Sequence, residues 1–176
     1  MILKYKILLL IVFPLIVSCR NYKTQQEDAP RQNKREDLIE TNRQMLELES
    51  KEIGEYISAH NLEMQRSGSG LRYKVTEEGT GAKPAEGNIV LINYFIATLN
   101  GDTIADVAPA DSFRFQMGRA QVPKAIEEGV TMISPGGEIF GIAPSHLAYG
   151  QFGTSEVEGN TPIIFKAKLI SIINEN

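Results

Sequence analysis

IVLINYFIATLNGDTIA, residues 89–105, is the stretch of sequence that decides the fold. Up to residue 99 it consists almost entirely of β-branched, aromatic and aliphatic side chains, which favour a half-buried strand. The pair Asn100-Gly101 is the favoured signal for a two-residue hairpin, because both turn positions need positive φ. We therefore expect strand 89–99 to turn back on residues 102–105.

Further segments on both sides of this hairpin indicate strands by alternation of apolar and polar side chains or by their apolar composition: residues 71–76, 113–117, 138–143 and 161–173. A helical pattern interrupts them at residues 124–133, where Ile126, Val130 and Ile133 share one face after Pro123. This combination predicts an α+β domain over residues 67–176, in which a five-stranded antiparallel sheet packs over one short helix.

A second helix is predicted before this domain, over residues 36–66. Ile39, Leu46, Ile53 and His60 recur every seven residues, and the SGSG sequence at 67–70 ends the pattern. The narrow apolar stripe has two equally good interpretations: it docks on the domain, or it pairs with a second copy in a homodimer through residues 36–61. The polar residues 19–35 are expected to form a flexible tether.

The first residues have the order of an export signal. Lys4 and Lys6 precede the apolar run ILLLIVFPLIV at 7–17, which is too short to span a bilayer and is interrupted by Pro14. We expect residues 1–18 to be a signal peptide. Their removal would take away two lysines and no acidic residue, so the net charge would fall from −4 to −6.

The end of this signal, LIVSC at residues 15–19, resembles the lipobox of bacterial lipoproteins. Cys19 is the only cysteine of the chain and would be the lipid-bearing residue. Because the mature chain would be acidic, its acyl chains would have to hold it on an anionic membrane. The resemblance implies a lipoprotein anchored in the cell envelope, either periplasmic or surface-facing.

Composition excludes several functional classes. The net charge of −4 argues against a nucleic-acid partner. One cysteine and two separate histidines do not make a metal site, and no cofactor is expected. Gly79-Thr80-Gly81 lacks the glycine spacing of a phosphate loop. Glu127 and Glu128 are adjacent, so they diverge on a helix and are interpreted as acids that favour the helix dipole rather than as an acid–base pair.

Four stretches in order resemble the signatures of the FKBP-type peptidyl-prolyl isomerases: SGLRYKVTEEGTGAKPAEGNIVLINY (69–94), FRFQMG with VPKAIEEGV (113–130), PSHLAYG (144–150) and NTPIIFKAKLI (160–170). With the lipobox and the N-terminal helix, the chain further resembles the cell-envelope FKBP lipoproteins, including the gliding-motility-associated group of Bacteroidetes. The resemblance implies a prolyl isomerase acting on Xaa-Pro segments of unfolded or exported proteins.

The resemblance also implies a site of apolar and aromatic side chains. Tyr149, Tyr94 and Phe165 would be its catalytic residues, with the Tyr149 hydroxyl bonding a substrate carbonyl. The expected substrate-binding residues are Phe113, Val122, Ile126 and Ile104. Each of these apolar side chains also suits ordinary core packing.

The sequence departs from the family pattern at the site itself. Ala105 stands where the family has an aspartate, and Asp106 would point to the opposite face of its strand. Ile104 and Ile126 replace a phenylalanine and a tryptophan, and Pro123 has no N–H at a position where the family uses one. These departures make a second function an alternative: a peptide-binding chaperone or assembly factor with weak or no isomerase activity.

Overall fold

The computed structural model of the chain describes residues 22–173 and, within the first helix, the side chains from residue 34 onward. The predicted signal peptide and Cys19 lie outside the described residues. Within residues 22–173, no helix combines the length and the apolar character needed to cross a membrane.

The elements follow one another in the order helix, five strands, helix, two strands. The helices are α1 (Tyr22–Ala59) and α2 (Lys124–Val130). The strands are β1 (Gln65–Arg66), β2 (Arg72–Glu77), β3 (Ile89–Thr98), β4 (Thr103–Val107), β5 (Phe113–Gln116), β6 (Glu138–Ala143) and β7 (Ile163–Ile173). Short 3₁₀ turns lie at Pro109–Asp111 and Ser145–Leu147.

The sheet has seven strands in the part of the chain that the structure describes, not the five expected from the sequence. Their order is β1-β2-β6-β7-β3-β4, all pairs are antiparallel, and β5 also pairs with β3. One edge of β3 pairs with β7, while the other is shared by β5 and β4. The difference arises because β3 is long enough for two partners on one edge and because the two-residue β1 adds to β2. The antiparallel α+β class is confirmed.

The hairpin after β3 is present, but its turn differs from the predicted one. Gly101 has φ of 94°, whereas Asn100 is not among the residues with positive φ. The Thr98 N–H donates to the Asp102 carbonyl and the Gly101 N–H donates to the Thr98 carbonyl. The loop therefore needs positive φ only at its last residue, as three-residue hairpins with a terminal glycine do.

The short helix α2 packs against β6 and β7 and buries Ala125, Ile126, Gly129 and Val130. Pro123 directly precedes it, and its carbonyl accepts the N–H of Ile126. The helix ends at Val130 rather than at residue 133. The next residues continue with tighter bonds, such as the N–H of Met132 to the carbonyl of Gly129, which is the usual way in which a helix C-terminus tightens.

The N-terminal helix is longer than predicted. The sequence indicates a tether over residues 19–35, whereas α1 begins at Tyr22. Glutamine, glutamate, lysine and arginine are frequent in this segment and have high helix propensity, which favours a helix although Pro30 opposes it. The lack of hydrophobic residues is therefore a poor guide to where this helix begins.

The chain divides into two units, Met1–Gln44 and Met45–Asn176. In the first unit, α1 carries an exposed ion pair between Arg43 and Glu40 at 2.9 Å. Leu38 and Ile39 of this unit are also exposed.

The second unit contains residues 45–59 of α1 together with the sheet and α2. In it, Ile53 is 2% exposed and Glu49 is 5% exposed. This part of the apolar stripe therefore docks on the domain, which is one of the two interpretations left open by the sequence. The domain boundary expected at residue 67 lies inside this unit.

Candidate functional site

Three aromatic side chains meet at the surface of the core. Tyr94 comes from β3, Phe113 from the start of β5, and Tyr149 from the loop after the Ser145–Leu147 turn. All three are half-buried and pack against the main hydrophobic cluster. The rings of Tyr94 and Phe113 lie edge to face, with centroids 6.0 Å apart, a favourable geometry for two aromatic side chains. We call Tyr94, Phe113 and Tyr149 the aromatic site.

The other predicted site residues lie deeper in the same cluster. Ile126 and Phe165 have no exposed surface, and Val122 is 7% exposed. The half-buried residues of the aromatic site pack against the cluster that contains them. In this structure these three side chains therefore support the site by packing, and their direct contact with a substrate stays a prediction.

Two glycines make room for Phe165. A Cβ atom on Gly141 of β6 would come within 2.3 Å of the Phe165 ring, and one on Gly129 of α2 would come within 3.2 Å. Real Cβ atoms do not approach an aromatic carbon as closely as the first of these distances. Because neither position has a side chain, the Phe165 ring fits between the sheet and α2.

The two tyrosine hydroxyls of the site stay protonated at neutral pH. Burial raises the pKa of Tyr94. Burial also raises the pKa of Tyr149, and the neighbouring Tyr94 and Glu156 raise it further. Since tyrosine ordinarily ionises near about pH 10, a raised pKa keeps both hydroxyls available as hydrogen-bond donors under physiological conditions.

The loop that carries Tyr149 is organised around Ser145. The Ser145 carbonyl accepts the N–H groups of Ala148 and Gly150, each at 2.8 Å, so it holds the residues on both sides of Tyr149. On its other side, Ser145 donates its N–H and its hydroxyl to the Glu49 carboxylate. We did not predict this role for Glu49. A signal was present, since Glu49 lies between Leu46 and Ile53 on the apolar face of α1.

The residues at which the sequence departs from the family pattern lie on β4 and directly before α2. Ile104 and Ala105 of β4 are half-buried and pack against the hydrophobic cluster. Asp106 is exposed, as expected from its place on the strand. Pro123 precedes α2 and contributes its carbonyl to the first helical turn. Thus β4 packs Ile104 and Ala105 against the hydrophobic cluster, and its one carboxylate, that of Asp106, points to solvent instead.

The two glutamates of α2 have separate structural partners. Glu127 accepts a hydrogen bond from the N–H of Gly118. Glu128 accepts one from the Ser69 hydroxyl, with both oxygens 2.8 Å away. Each carboxylate thus attaches a different loop to the helix, in addition to any effect on the helix dipole. Their divergent partners agree with the interpretation that they are not an acid–base pair.

Comparison with known proteins extends these observations. The family model for FKBP-type peptidyl-prolyl cis-trans isomerase matches residues 80–170. The chain is 32% identical over 127 residues to a probable FKBP-type peptidyl-prolyl cis-trans isomerase FkpA of Neisseria meningitidis, covering 70% of this chain and 46% of that protein. It is 36% identical over 107 residues to the peptidyl-prolyl cis-trans isomerase Mip of Coxiella burnetii, covering 59% of this chain and 45% of that protein.

Among solved structures, the crystal structure of FkpA from Escherichia coli has a similar fold. The TM-score is 0.60 at 21% identity, covering 90% of this chain and 71% of that one. The chain spans less than half the length of the Neisseria and Coxiella relatives. The family match nevertheless covers just over half of this chain, and it includes β3 to β6, most of β7, the helix α2 and the aromatic site described above. The chain therefore belongs to the family of FKBP-type peptidyl-prolyl cis-trans isomerases.

Proposed function

We propose that the chain accelerates cis/trans isomerisation of Xaa-Pro bonds and assists the folding of exported proteins. The observation that carries this proposal is the aromatic site, in which Tyr94, Phe113 and a protonated Tyr149 lie over a fully buried apolar floor. The two curated relatives described above carry the name of this activity.

This arrangement suits the reaction because an Xaa-Pro bond rotates against amide resonance. The barrier is about 18–20 kcal/mol, and no proton transfer, nucleophile or metal is needed to lower it. The twisted amide loses charge separation and is therefore less disfavoured by a dry environment than the planar amide. A site of aromatic and aliphatic side chains that excludes water lowers the barrier by this difference.

Within this proposal, the residues have distinct roles. The Tyr149 hydroxyl donates to the carbonyl of the substrate and fixes its orientation, while the rings of Tyr94 and Phe113 form walls for the proline ring. The remaining residues shape the floor and edge of the site by packing: Val122, Ile126, Phe165 and Ile104.

The second candidate function is that of a peptide-binding chaperone or assembly factor. It is favoured by the departures at the site, where Ala105 provides no carboxylate and Pro123 no N–H. Such a protein would keep the apolar site for binding and lose much of the catalysis.

One experiment separates the two functions. The full chain is added to a refolding protein whose slow phase is limited by proline isomerisation, and also to a proline-free client that aggregates. An isomerase accelerates the first at catalytic concentration, whereas a chaperone suppresses only the second, at stoichiometric concentration. If wild type at high concentration leaves the slow phase unchanged, the isomerase proposal fails.

We further propose that the protein acts at the cell envelope, anchored by lipid on Cys19, as in the lipoprotein group that it resembles. The position of the only cysteine directly after the apolar run supports this. Exported clients would then meet the isomerase near the membrane.

Replacing Cys19 by alanine should release the protein from the membrane fraction, because the acidic mature chain has no electrostatic attraction to anionic lipid. Fractionation of cells that express each form measures this partition, and mass spectrometry of the native protein detects the acyl chains. A Cys19→Ala variant that still partitions with membranes, or an unmodified native cysteine, would contradict the anchor.

We also propose a homodimer, which the sequence places within residues 36–61 and which would use only the apolar side chains of this segment that stay exposed. Its support is the exposure of three apolar residues on α1, with 56% for Leu38, 61% for Ile39 and 45% for Leu46. Water contact at such a stripe is unfavourable, and pairing with a second helix would remove it.

In the dimer, Leu46→Glu should place a charge at the apolar seam and convert the protein to a monomer. Leu48→Glu is the matched control, because Leu48 is 61% exposed and lies off the stripe. Sedimentation of the soluble protein without lipid measures both. A wild type that sediments as a monomer would exclude the seam.

A further inference from the structure

Glu49 holds an unusual position for an acidic residue. Within residues 34–173, for which the structure describes the side chains, it is the one charged side chain that is buried, with 5% of its surface exposed. A buried carboxylate is unfavourable unless hydrogen bonds replace the lost water. Here both oxygens are used, since Oε2 accepts the N–H of Ser145 at 2.7 Å and Oε1 accepts the Ser145 hydroxyl at 2.6 Å.

These bonds connect two parts of the chain that are 96 residues apart. Ser145 is itself 4% exposed and begins the 3₁₀ turn that leads to Tyr149. Its carbonyl receives the N–H groups of both neighbours of Tyr149, Ala148 and Gly150. The Gly150 carbonyl in turn accepts the N–H of Asn160, so the loop after Tyr149 is tied to the same point.

We propose that Glu49 is a positioning residue for Tyr149, acting through Ser145, so that the N-terminal helix forms part of the isomerase site. This inference rests on the proposed function, because it concerns the tyrosine that would bond the substrate carbonyl. The Glu49 carboxylate holds Ser145 by accepting its N–H and its hydroxyl, and the Ser145 carbonyl holds the backbone on both sides of Tyr149 by accepting the N–H groups of Ala148 and Gly150. Without the carboxylate the 3₁₀ turn loses this support, and the Tyr149 hydroxyl is displaced from the position that bonds the substrate.

The first test compares substitutions in the full chain. Glu49→Ala should lower kcat/KM for an Xaa-Pro peptide by about threefold to tenfold, mainly through kcat, because a correctly placed hydroxyl matters most in the transition state. Ser145→Ala should lose less, since its N–H bond to Glu49 remains. Glu47→Ala is the matched control, because Glu47 is an exposed acid on the same helix. It should leave kcat/KM unchanged.

The second test asks whether the effect passes through Tyr149. If Glu49 acts by placing that hydroxyl, Glu49→Ala should cost nothing further in a Tyr149→Phe background, and the two losses should not add. A merely structural role gives a different pattern, in which the melting temperature falls but kcat/KM measured well below it does not. Additive losses, or an unchanged kcat/KM in folded Glu49→Ala, would overturn the inference.

A third measurement does not depend on catalysis. Tyr149 can be followed by NMR of ring-labelled tyrosine, with Tyr149→Phe to assign its signal. Since burial raises the pKa of Tyr149, a displaced side chain in Glu49→Ala should titrate at lower pH than in wild type. An unchanged Tyr149 titration would refute positioning. If the titration shifts but wild type shows no isomerisation, the proposed function fails while the positioning role of Glu49 stands.

Discussion

Replacing Phe165 by alanine should lower the free energy of unfolding by about 3–5 kcal/mol, the usual cost of removing a buried phenylalanine. The ring has no exposed surface and sits against Gly141 and Gly129, neither of which has a side chain that could fill the space left behind. A cavity would therefore remain between the sheet and α2. Urea unfolding of wild type and variant measures the difference.

Phe152→Ala is the matched control for this experiment. It removes the same ring from a residue that is 88% exposed, so the free energy of unfolding should change by no more than about 0.5 kcal/mol. If Phe165→Ala were as mild as Phe152→Ala, the burial of Phe165 between the sheet and α2 would be contradicted. Independently of stability, a folded Phe165→Leu variant would show whether the aromatic ring is needed for isomerisation of an Xaa-Pro peptide.

Replacing Tyr149 by phenylalanine should reduce kcat/KM for an Xaa-Pro peptide by about tenfold, or on the order of 1–2 kcal/mol of transition-state stabilisation. The substitution deletes one hydroxyl and keeps the ring, which packs against the hydrophobic cluster. The melting temperature should therefore change little. Coupled peptide assays and thermal unfolding on the same preparations measure both quantities.

Tyr73→Phe is the control for the loss of a hydroxyl. The Tyr73 hydroxyl donates to the Gln65 side chain at 2.9 Å between β1 and β2, and neither of these strands carries a residue of the aromatic site. Its removal should leave kcat/KM unchanged. Equal activity of wild type and Tyr149→Phe would remove the Tyr149 hydroxyl from the mechanism and leave the apolar walls as the basis of any catalysis.

These two residues show different limits of sequence analysis. The pattern around Phe165 marks a strand with one buried face, and the family resemblance marks Phe165 as a site residue. Burial of this ring is expected from the strand, but its position against Gly141 of β6 and Gly129 of α2 is not, because these residues are distant from it in the sequence. The sequence around Tyr149 predicts a loop, and the structure adds the hydrogen-bond partners that hold this loop.

What the sequence by itself determined is the set of local elements and the family. The alternation in β2 and β7, the apolar composition of β3, the hairpin at Gly101 and the helical spacing of Ile126 and Val130 are all local features, so a short window of sequence contains them. The four signature stretches identified the family for the same reason, since each is a contiguous segment.

Only the tertiary structure decided how distant segments cooperate. Three features join residues far apart in the chain: the contact of Glu49 with Ser145, the packing of Phe165 against two glycines, and the pairing of β4 and β5 with one edge of β3. No periodicity records such contacts, because side-chain spacing along one element carries no information about which element it faces. A buried carboxylate in α1 becomes part of the site only when folding brings the turn before Tyr149 within hydrogen-bonding distance.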